Sequence, residues 1–109
     1  MTGPYLELHC DKVAPGAALG IAFGDASIAV FNVDGRYYAV DDLCVRCGAQ
    51  LANGPLRRTV VECAGCGWRY DVSTGALVSL PAIRIDGYPV RVNPDDAMLV
   101  IVLPARTST

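Results

Sequence analysis

The chain has 109 residues, 52% of them hydrophobic and 18% charged, a composition that predicts one folded domain and excludes a disordered chain. Lys and Arg number 9 against 11 Asp and Glu, and the net charge of −2 leaves no basic face for a nucleic-acid backbone. No apolar run is long enough to span a membrane, and the N-terminus lacks the basic and apolar regions of a secretory signal. We therefore expect a soluble, cytoplasmic protein whose partners include neither nucleic acid nor a membrane.

Short strands separated by turns account for most of the chain, and no segment has a convincing helical pattern. The predicted strands cover residues 5–9, 27–33, 36–40, 59–63, 68–72, 76–78, 82–85, 88–92 and 98–103. Asp34-Gly35 joins the second and third of them, and this dipeptide is typical of a type I′ hairpin turn. Pro89 within a strand pattern indicates an edge strand or a bulge. These features predict an all-β fold, a small antiparallel sandwich or barrel.

Cysteine and histidine limit the possible chemistry, because the chain has 5 Cys and only 1 His. Four cysteines form two C-x-x-C pairs, each followed by glycine: Cys44, Cys47, Cys63 and Cys66. Two intervening residues let both thiolates of a pair reach one tetrahedral ion or two neighbouring irons. His9 and the lone Cys10 lie far from the pairs in the sequence, and we expect both to be structural.

Three alternative roles for the cysteines are less consistent with the sequence. Buried core cysteines would not be expected to fall into two glycine-followed pairs. Disulfides are typical of secreted proteins, and this chain shows no secretory signal. A thioredoxin-like redox pair needs a helix N-terminus in a βαβ unit, which the pattern lacks. Residues 41–75, which hold all four paired cysteines, are therefore predicted to be a metal-binding excursion from an all-β base.

Beyond the cysteines, nearly the full length of the chain resembles the Rieske-type ferredoxins, small all-β proteins that hold a [2Fe–2S] cluster between two loops. The loops of that family read C-x-H-x-G-A-x-L and C-x-x-H-G-W-x-F/Y-D-x-x-x-G, and the matching segments here are CVRCGAQL (44–51) and CAGCGWRYDVSTG (63–75). The Asp34-Gly35 hairpin and the segment 80–82 are also similar. The resemblance implies a single Rieske-like domain over 1–109, with its base formed by 1–40 and 76–109 and a two-loop metal-binding subdomain at 41–75.

The ligand positions depart from the family. Cys44 and Cys63 stand where the family has its two cysteine ligands, but Arg46 and Cys66 replace its two histidines. Cys47 is an additional thiol, one residue beyond the first lost histidine. A His₂Cys₂ cluster therefore cannot form, and the site is predicted to be a four-cysteine one, similar to the paired loops of rubredoxins and zinc ribbons. Its occupant is an all-cysteine [2Fe–2S] cluster, a single iron or a zinc ion, because four thiolates suit both iron and zinc.

Four residues near the cysteines have a structural and a functional interpretation. Arg46 is either a solvated loop residue or a countercharge to the thiolates, and Trp68 either packs beneath the site or relays electrons. Arg57 and Arg58 either solvate a turn or mark the rim of a docking surface.

Two functions follow from these expectations. The first is a ferredoxin-like electron carrier with an iron site, and the resemblance implies a reductase and an oxygenase-like component as its partners. The second is a redox-inactive structural zinc module that acts as an accessory or interaction subunit. With one remote histidine and no phosphate-binding loop, the chain is not expected to be an enzyme by itself.

Overall fold

Antiparallel strands dominate the computed structural model, which describes residues 5–24 and 26–103. The strands in chain order are β1 Tyr5–His9, β2 Ala18–Phe23, β3 Ala26–Val33, β4 Arg36–Asp41, β5 Leu56–Arg57, β6 Val60–Glu62, β7 Arg69–Asp71, β8 Ala76–Leu77, β9 Leu80–Arg84, β10 Gly87–Tyr88, β11 Val90–Asn93 and β12 Met98–Val102. Short 3₁₀ turns at Cys10–Lys12 and Leu51–Asn53 are the helical elements of the described residues. The all-β prediction is confirmed.

The strands form three sheets. The first has the order β1-β12-β11, the second β10-β4-β3-β2, and the third β5-β6-β7-β8-β9. The third sheet carries the second cysteine pair between β6 and β7, and it continues to Arg84 in β9. The first cysteine pair follows β4 of the second sheet. Both candidate loops therefore begin at the end of a strand that is held in a sheet.

The hairpin between β3 and β4 has the predicted turn. Asp34 and Gly35 both have positive φ, +52° and +92°, as a type I′ turn requires. Val33 pairs with Arg36, and the Gly35 amide donates to the Asn32 side chain at 2.8 Å. The turn fixes the register of the two strands, and β4 then leads directly into the first cysteine loop.

Pro89 separates two strands, β10 and β11, that the sequence pattern joins into one. β10 is the edge strand of the second sheet and pairs with β4, whereas β11 is the edge strand of the first sheet and pairs with β12. Proline has no amide to donate to a ladder, so the chain changes sheets at this residue. Pro89 lies between two edge strands, so the prediction of an edge position is confirmed. The prediction of one continuous strand over 88–92 was wrong.

Two apolar cores lie on opposite faces of β3. Ile28 and Val30 pack with β12 in the first core, together with Leu99 and Ile101. Phe31 faces the other core, which is formed with the third sheet and contains the largest buried side chains near the cysteines: Val40, Leu51, Val61, Tyr70, Val72 and Leu77. Cys44 and Cys63 belong to this second core, so the bases of both loops are fixed by apolar packing.

The sequence pattern missed two strands. β2 contains Gly20 and several small residues, so it lacks the β-branched and aromatic enrichment of a typical strand. β5 has two residues and is defined only by its pairing with β6. Within residues 5–24 and 26–103, no helix is long and apolar enough to cross a membrane.

Candidate metal centre

The first cysteine loop, residues 44–49, is a tight turn closed by its own backbone. The Cys44 amide donates to the Ala49 carbonyl at 2.9 Å, and the Gly48 amide donates to the Cys44 carbonyl at 2.9 Å. Gly48 has φ +77°, a conformation that side chains other than glycine rarely adopt. The turn brings Cys44 and Cys47 to the same side of the loop, with Cys44 buried and Cys47 exposed.

The second cysteine loop, residues 63–68, repeats the same hydrogen bonds. The Cys63 amide donates to the Trp68 carbonyl at 2.7 Å, and the Gly67 amide donates to the Cys63 carbonyl at 2.8 Å. Gly67 has φ +82°, equivalent to Gly48 in the first loop. In each loop the first cysteine is buried and the second more exposed, so the two loops are structurally equivalent halves of one site.

The four sulfur atoms of the two loops lie within 4.8 Å of one another. The Sγ atoms of Cys44 and Cys66 are 3.7 Å apart, and those of Cys47 and Cys63 are 3.4 Å apart. A tetrahedral ion with metal–sulfur bonds of about 2.3 Å has sulfur–sulfur edges of about 3.8 Å. A [2Fe–2S] cluster divides its ligands between two irons and separates the two pairs further. The spacing therefore fits one tetrahedral ion.

Gly65 lets the two loops approach closely. A Cβ atom at this position would lie 3.0 Å from the Sγ atom of Cys47 and 3.0 Å from the Cβ atom of Ala49. Both distances are tighter than ordinary van der Waals contact. The absence of a side chain at Gly65 thus allows the second loop to pack directly against the first.

Asp42 anchors the first loop to the base of the molecule. Its buried carboxylate accepts hydrogen bonds from the Ser27 hydroxyl at 3.0 Å, the Gln50 side-chain amide at 2.8 Å and the Ala52 backbone amide at 2.8 Å. These donors come from β3 and from the far end of the loop. A fully hydrogen-bonded buried carboxylate fixes the positions of its donors, so Asp42 ties together the two ends of the loop that carries Cys44.

Tyr70 is a buried neighbour of the sulfur cluster that the sequence pattern does not single out. Its hydroxyl lies 3.3 Å from the Sγ atom of Cys44 and accepts a hydrogen bond from the Val45 amide at 3.2 Å. The hydroxyl donates to Cys44 when that sulfur is a thiolate. Tyr70 belongs to β7 and Cys44 follows β4, so this contact depends on the tertiary fold.

The electrostatics of the cluster favour a thiolate at Cys44. Burial by itself would raise the pKa of Cys44, but donation from the Tyr70 hydroxyl and from the Cys47 and Arg46 amides lowers this pKa to about 6. The pKa of Cys63 is raised, chiefly by burial. At Cys66 the Trp68 amide alone would lower the pKa, yet burial and the neighbouring sulfurs together raise it to about 11. Cys44 is thus a thiolate near neutral pH, whereas Cys63 and Cys66 need a nearby cation to lose their protons.

Arg46 and Trp68 connect the two loops on the exposed side of the site. The guanidinium carbon of Arg46 lies 5.4 Å from the centroid of the Trp68 ring, which is a cation–π distance. Trp68 is half-buried and packs against the second core. This arrangement agrees with the packing interpretation of Trp68, and it directs the charge of Arg46 onto the Trp68 ring.

The histidine ligands of a Rieske cluster have no counterpart at this site. His9 lies in β1 of the first sheet, where its Nδ1 atom contacts the carboxylate of its neighbour Asp11. Cys10 lies beside Tyr37 and is absent from the four-sulfur group. The residues present therefore do not fit a His₂Cys₂ cluster, and the candidate donors that the structure brings together are four sulfurs.

Comparison with known proteins agrees with this fold. Residues 3–92 match the model of the Rieske [2Fe-2S] domain. The chain is 32% identical, over 91% of its length and 97% of the relative, to the ferredoxin component of the naphthalene 1,2-dioxygenase/salicylate 5-hydroxylase systems of Ralstonia sp. That relative is the ferredoxin component of its systems, and the prediction that this chain is an electron-transfer or accessory component rather than an enzyme by itself is confirmed.

Solved structures give the same result. A ferredoxin from Sphingomonas yanoikuyae B1 superimposes with a TM-score of 0.81 at 32% identity, covering 93% of this chain and 100% of that one. A chain from the complex of reduced oxygenase and oxidized ferredoxin in carbazole 1,9a-dioxygenase superimposes with a TM-score of 0.83 at 25% identity, covering 95% of this chain and 97% of that one. Because residues 3–92 match the family model and the relatives cover nearly the whole chain, this chain belongs to the Rieske [2Fe-2S] domain family.

Proposed function

We propose that the chain is a ferredoxin-type one-electron carrier whose redox centre is a single iron ion bound by Cys44, Cys47, Cys63 and Cys66. The observation that carries this proposal is the mutual approach of four sulfur atoms within 4.8 Å in a protein of a ferredoxin family. Four thiolates around one iron form a site that changes oxidation state without changing its ligands. The family supports the role of carrier, and the four clustered sulfurs support a centre with one ion and four thiolate ligands.

Burial is graded across this centre in a way that suits electron exchange. Cys44 and Cys63 are buried in the second core, whereas Cys47 is exposed and Cys66 half-exposed. The buried pair anchors the ion to the sheets, and the exposed pair gives a partner protein a short approach to it. By analogy with the ferredoxin components described above, we propose a reductase as electron donor and an oxygenase as acceptor.

A second function has support from the same donor set. Zinc also prefers tetrahedral thiolate ligands, and structural zinc sites are commonly formed by two C-x-x-C loops. In that case the ion would hold the two loops together and the chain would act as an accessory subunit. Zinc does not change oxidation state, so the two functions differ in a property that can be measured directly.

A potentiometric titration of the anaerobically purified protein, followed by absorption and electron paramagnetic resonance, tests the carrier function. We expect a reversible one-electron transition whose potential is independent of pH near neutrality, because no imidazole ligand is available to ionise. A protein without any redox transition would contradict the proposal and favour the zinc module. A potential that falls with pH near neutrality would contradict the four-cysteine centre.

The proposal also covers the division of the chain into a base and a metal-binding subdomain. We propose that residues 41–75 form the metal-dependent subdomain and that residues 1–40 and 76–109 form the base. The cytoplasm is the expected compartment, since free thiols persist in its reducing environment.

A further inference from the structure

A groove on the outer face of the third sheet is a feature that the metal site does not use. It has a volume of about 570 Å³ and is lined by Pro55, Arg57, Val60, Glu62, Arg69 and Val78. Register places these side chains on one face, because Arg57 pairs with Val60 and Glu62 pairs with Arg69. The intervening residues, including Val61 and Tyr70, face the core. The groove therefore combines an apolar floor with charged walls.

The charge that remains available in the groove is positive. Glu62 is already engaged by Arg69, with 3.3 Å between the nearest nitrogen and oxygen. Asp71 is on the same face but not in the groove lining, and it accepts hydrogen bonds from the amide and hydroxyl of Ser73 at 3.0 and 2.6 Å. Within residues 5–24 and 26–103, neither Arg57 nor its neighbour Arg58 has a carboxylate at ion-pair distance. Arg57 thus stands in the groove lining without a carboxylate partner, and Arg58 follows it in the exposed turn that leads to β6.

The backbone of the turn between β5 and β6 gives a second observation. Arg58 has φ +54°, in the left-handed region where Gly and Asn are the favoured residues. Arg58 thus has a backbone conformation in which Gly or Asn would be more stable than a residue with a long side chain. Strained positions of this kind are concentrated at functional sites.

The groove lies close to the metal centre along the chain. Glu62, on its wall, immediately precedes the buried ligand candidate Cys63, and Arg69 immediately follows Trp68. A molecule seated in the groove would contact the strands that hold the second cysteine loop. The exposed side of the loops, at Cys47, would remain free.

We propose that this groove docks an acidic segment of a protein partner, with carboxylates paired to Arg57 and Arg58 and an apolar side chain placed on Val60 and Val78. Val78 is 49% exposed, so the floor offers apolar surface to such a side chain. The identification of the partner as a redox protein rests on the proposed function. The binding itself does not, because the charges and the floor are present whichever metal is bound.

A direct test measures the binding of a dye-labelled synthetic peptide of alternating Glu and Leu to the metal-loaded protein by fluorescence anisotropy. Arg57→Gln and Arg58→Asn each remove one charge, and Arg58→Asn also relieves the left-handed strain, so weaker binding in that variant cannot be attributed to unfolding. Arg91→Gln, at an exposed position in β11 of the first sheet, is the matched control.

We expect affinity to fall about threefold in each groove variant and about tenfold in the double variant, to be unchanged in Arg91→Gln, and to decrease with salt. Equal losses in the control and groove variants would overturn the proposal, since binding would then follow net charge alone. Absence of peptide binding would also overturn it, as would concentration-dependent self-association that Arg57→Gln abolishes, because the occupant would then be a second copy of the chain. Peptide binding is measured separately from redox activity, so a protein without a redox transition would still give the same anisotropy result. Failure of the carrier function is therefore distinguishable from failure of the docking site.

Discussion

Each clustered cysteine contributes one sulfur to the candidate centre, so no ligand is redundant. We expect a serine substitution at Cys44, Cys47, Cys63 or Cys66 to reduce bound metal to less than half of the normal content, because an alkoxide is a poorer ligand for these ions than a thiolate. Elemental analysis of the purified variants measures this.

Cys10→Ser is the internal control for that series. Cys10 lies outside the four-sulfur group, and its replacement is expected to leave the metal content unchanged. Full metal retention in Cys47→Ser would show that the centre uses fewer ligands than we propose.

Tyr70 sets the ionisation of Cys44 through a hydrogen bond of 3.3 Å. In Tyr70→Phe the thiolate loses a donor, so the pKa of Cys44 rises from about 6 toward its ordinary value. Since the thiolate is the form that binds metal, the variant should release metal at a higher pH than the unmodified protein. The pH of half-release, measured with a colorimetric chelator, is expected to rise in Tyr70→Phe and to stay unchanged in Tyr5→Phe, which alters an exposed tyrosine. An unchanged value in Tyr70→Phe would contradict this role.

The sequence pattern predicts the four sulfur donors but not the residues that contact them or hold their loops. The cysteines repeat at a short, fixed spacing, so their positions can be read locally. Tyr70 in the third sheet reaches Cys44, which follows the second sheet, and Asp42 reaches the Ala52 amide beyond the first cysteine loop. Such contacts are made by the tertiary fold, and no local pattern encodes them.

The two cysteine loops depend on a left-handed glycine at equivalent positions. A Cβ atom at Gly67 would meet no atom within 4 Å, so Gly67→Ala imposes only the backbone cost of φ +82°, about 1–2 kcal/mol. We expect Gly67→Ala to lower the unfolding free energy by about this amount and Gly67→Asn by less, because Asn tolerates this conformation better. Denaturant unfolding of the metal-loaded variants measures the difference.

Gly54 serves as a contrasting position for the same measurement. A Cβ atom there would clash with the Glu62 carbonyl, so Gly54→Ala should destabilise the protein more than Gly67→Ala. The reverse order would show that the second loop is more constrained than its open surroundings suggest.

Strand prediction succeeded where alternation and turn signals coincide and failed where pairing alone defines a strand. β3 and β4 are joined by a dipeptide with a strong turn preference, and the strands and turn agree with the expectation. β5 consists of Leu56 and Arg57, which carry little β preference and are held by β6. The change of sheet at Pro89 likewise depends on strand pairing, because β10 pairs with β4 and β11 pairs with β12.

At the scale of the whole molecule, the two cores predict different responses to metal removal. The first core, which contains Ile28, Val30 and Leu99, includes none of the four clustered cysteines. The second contains Cys44 and Cys63, and loss of the ion would leave several sulfurs crowded without a cation. We expect chelation to abolish amide hydrogen-exchange protection in residues 44–49 and 63–68 while protection in β3 and β12 persists. Loss of protection throughout the chain would show that the ion is required for the entire fold.

The metal and the partner are properties that the sequence leaves open. Iron and zinc accept the same four thiolates, so the donor set does not discriminate between them. The groove on the outer face of the third sheet is lined by Arg57 from β5 and Arg69 from β7. These two residues are close only because both strands belong to one sheet, with β6 between them. Sequence alone shows these arginines as separate surface charges.

The central claim is tested most directly by the iron, zinc and acid-labile sulfide content per chain of anaerobically purified protein, with an absorption spectrum of the same sample. The account predicts one iron per chain, no labile sulfide and the colour of an iron–thiolate centre. Two irons with two sulfides would contradict the single-ion centre. One zinc in a colourless protein, persisting after expression in iron-rich and zinc-poor medium, would contradict the electron-carrier function.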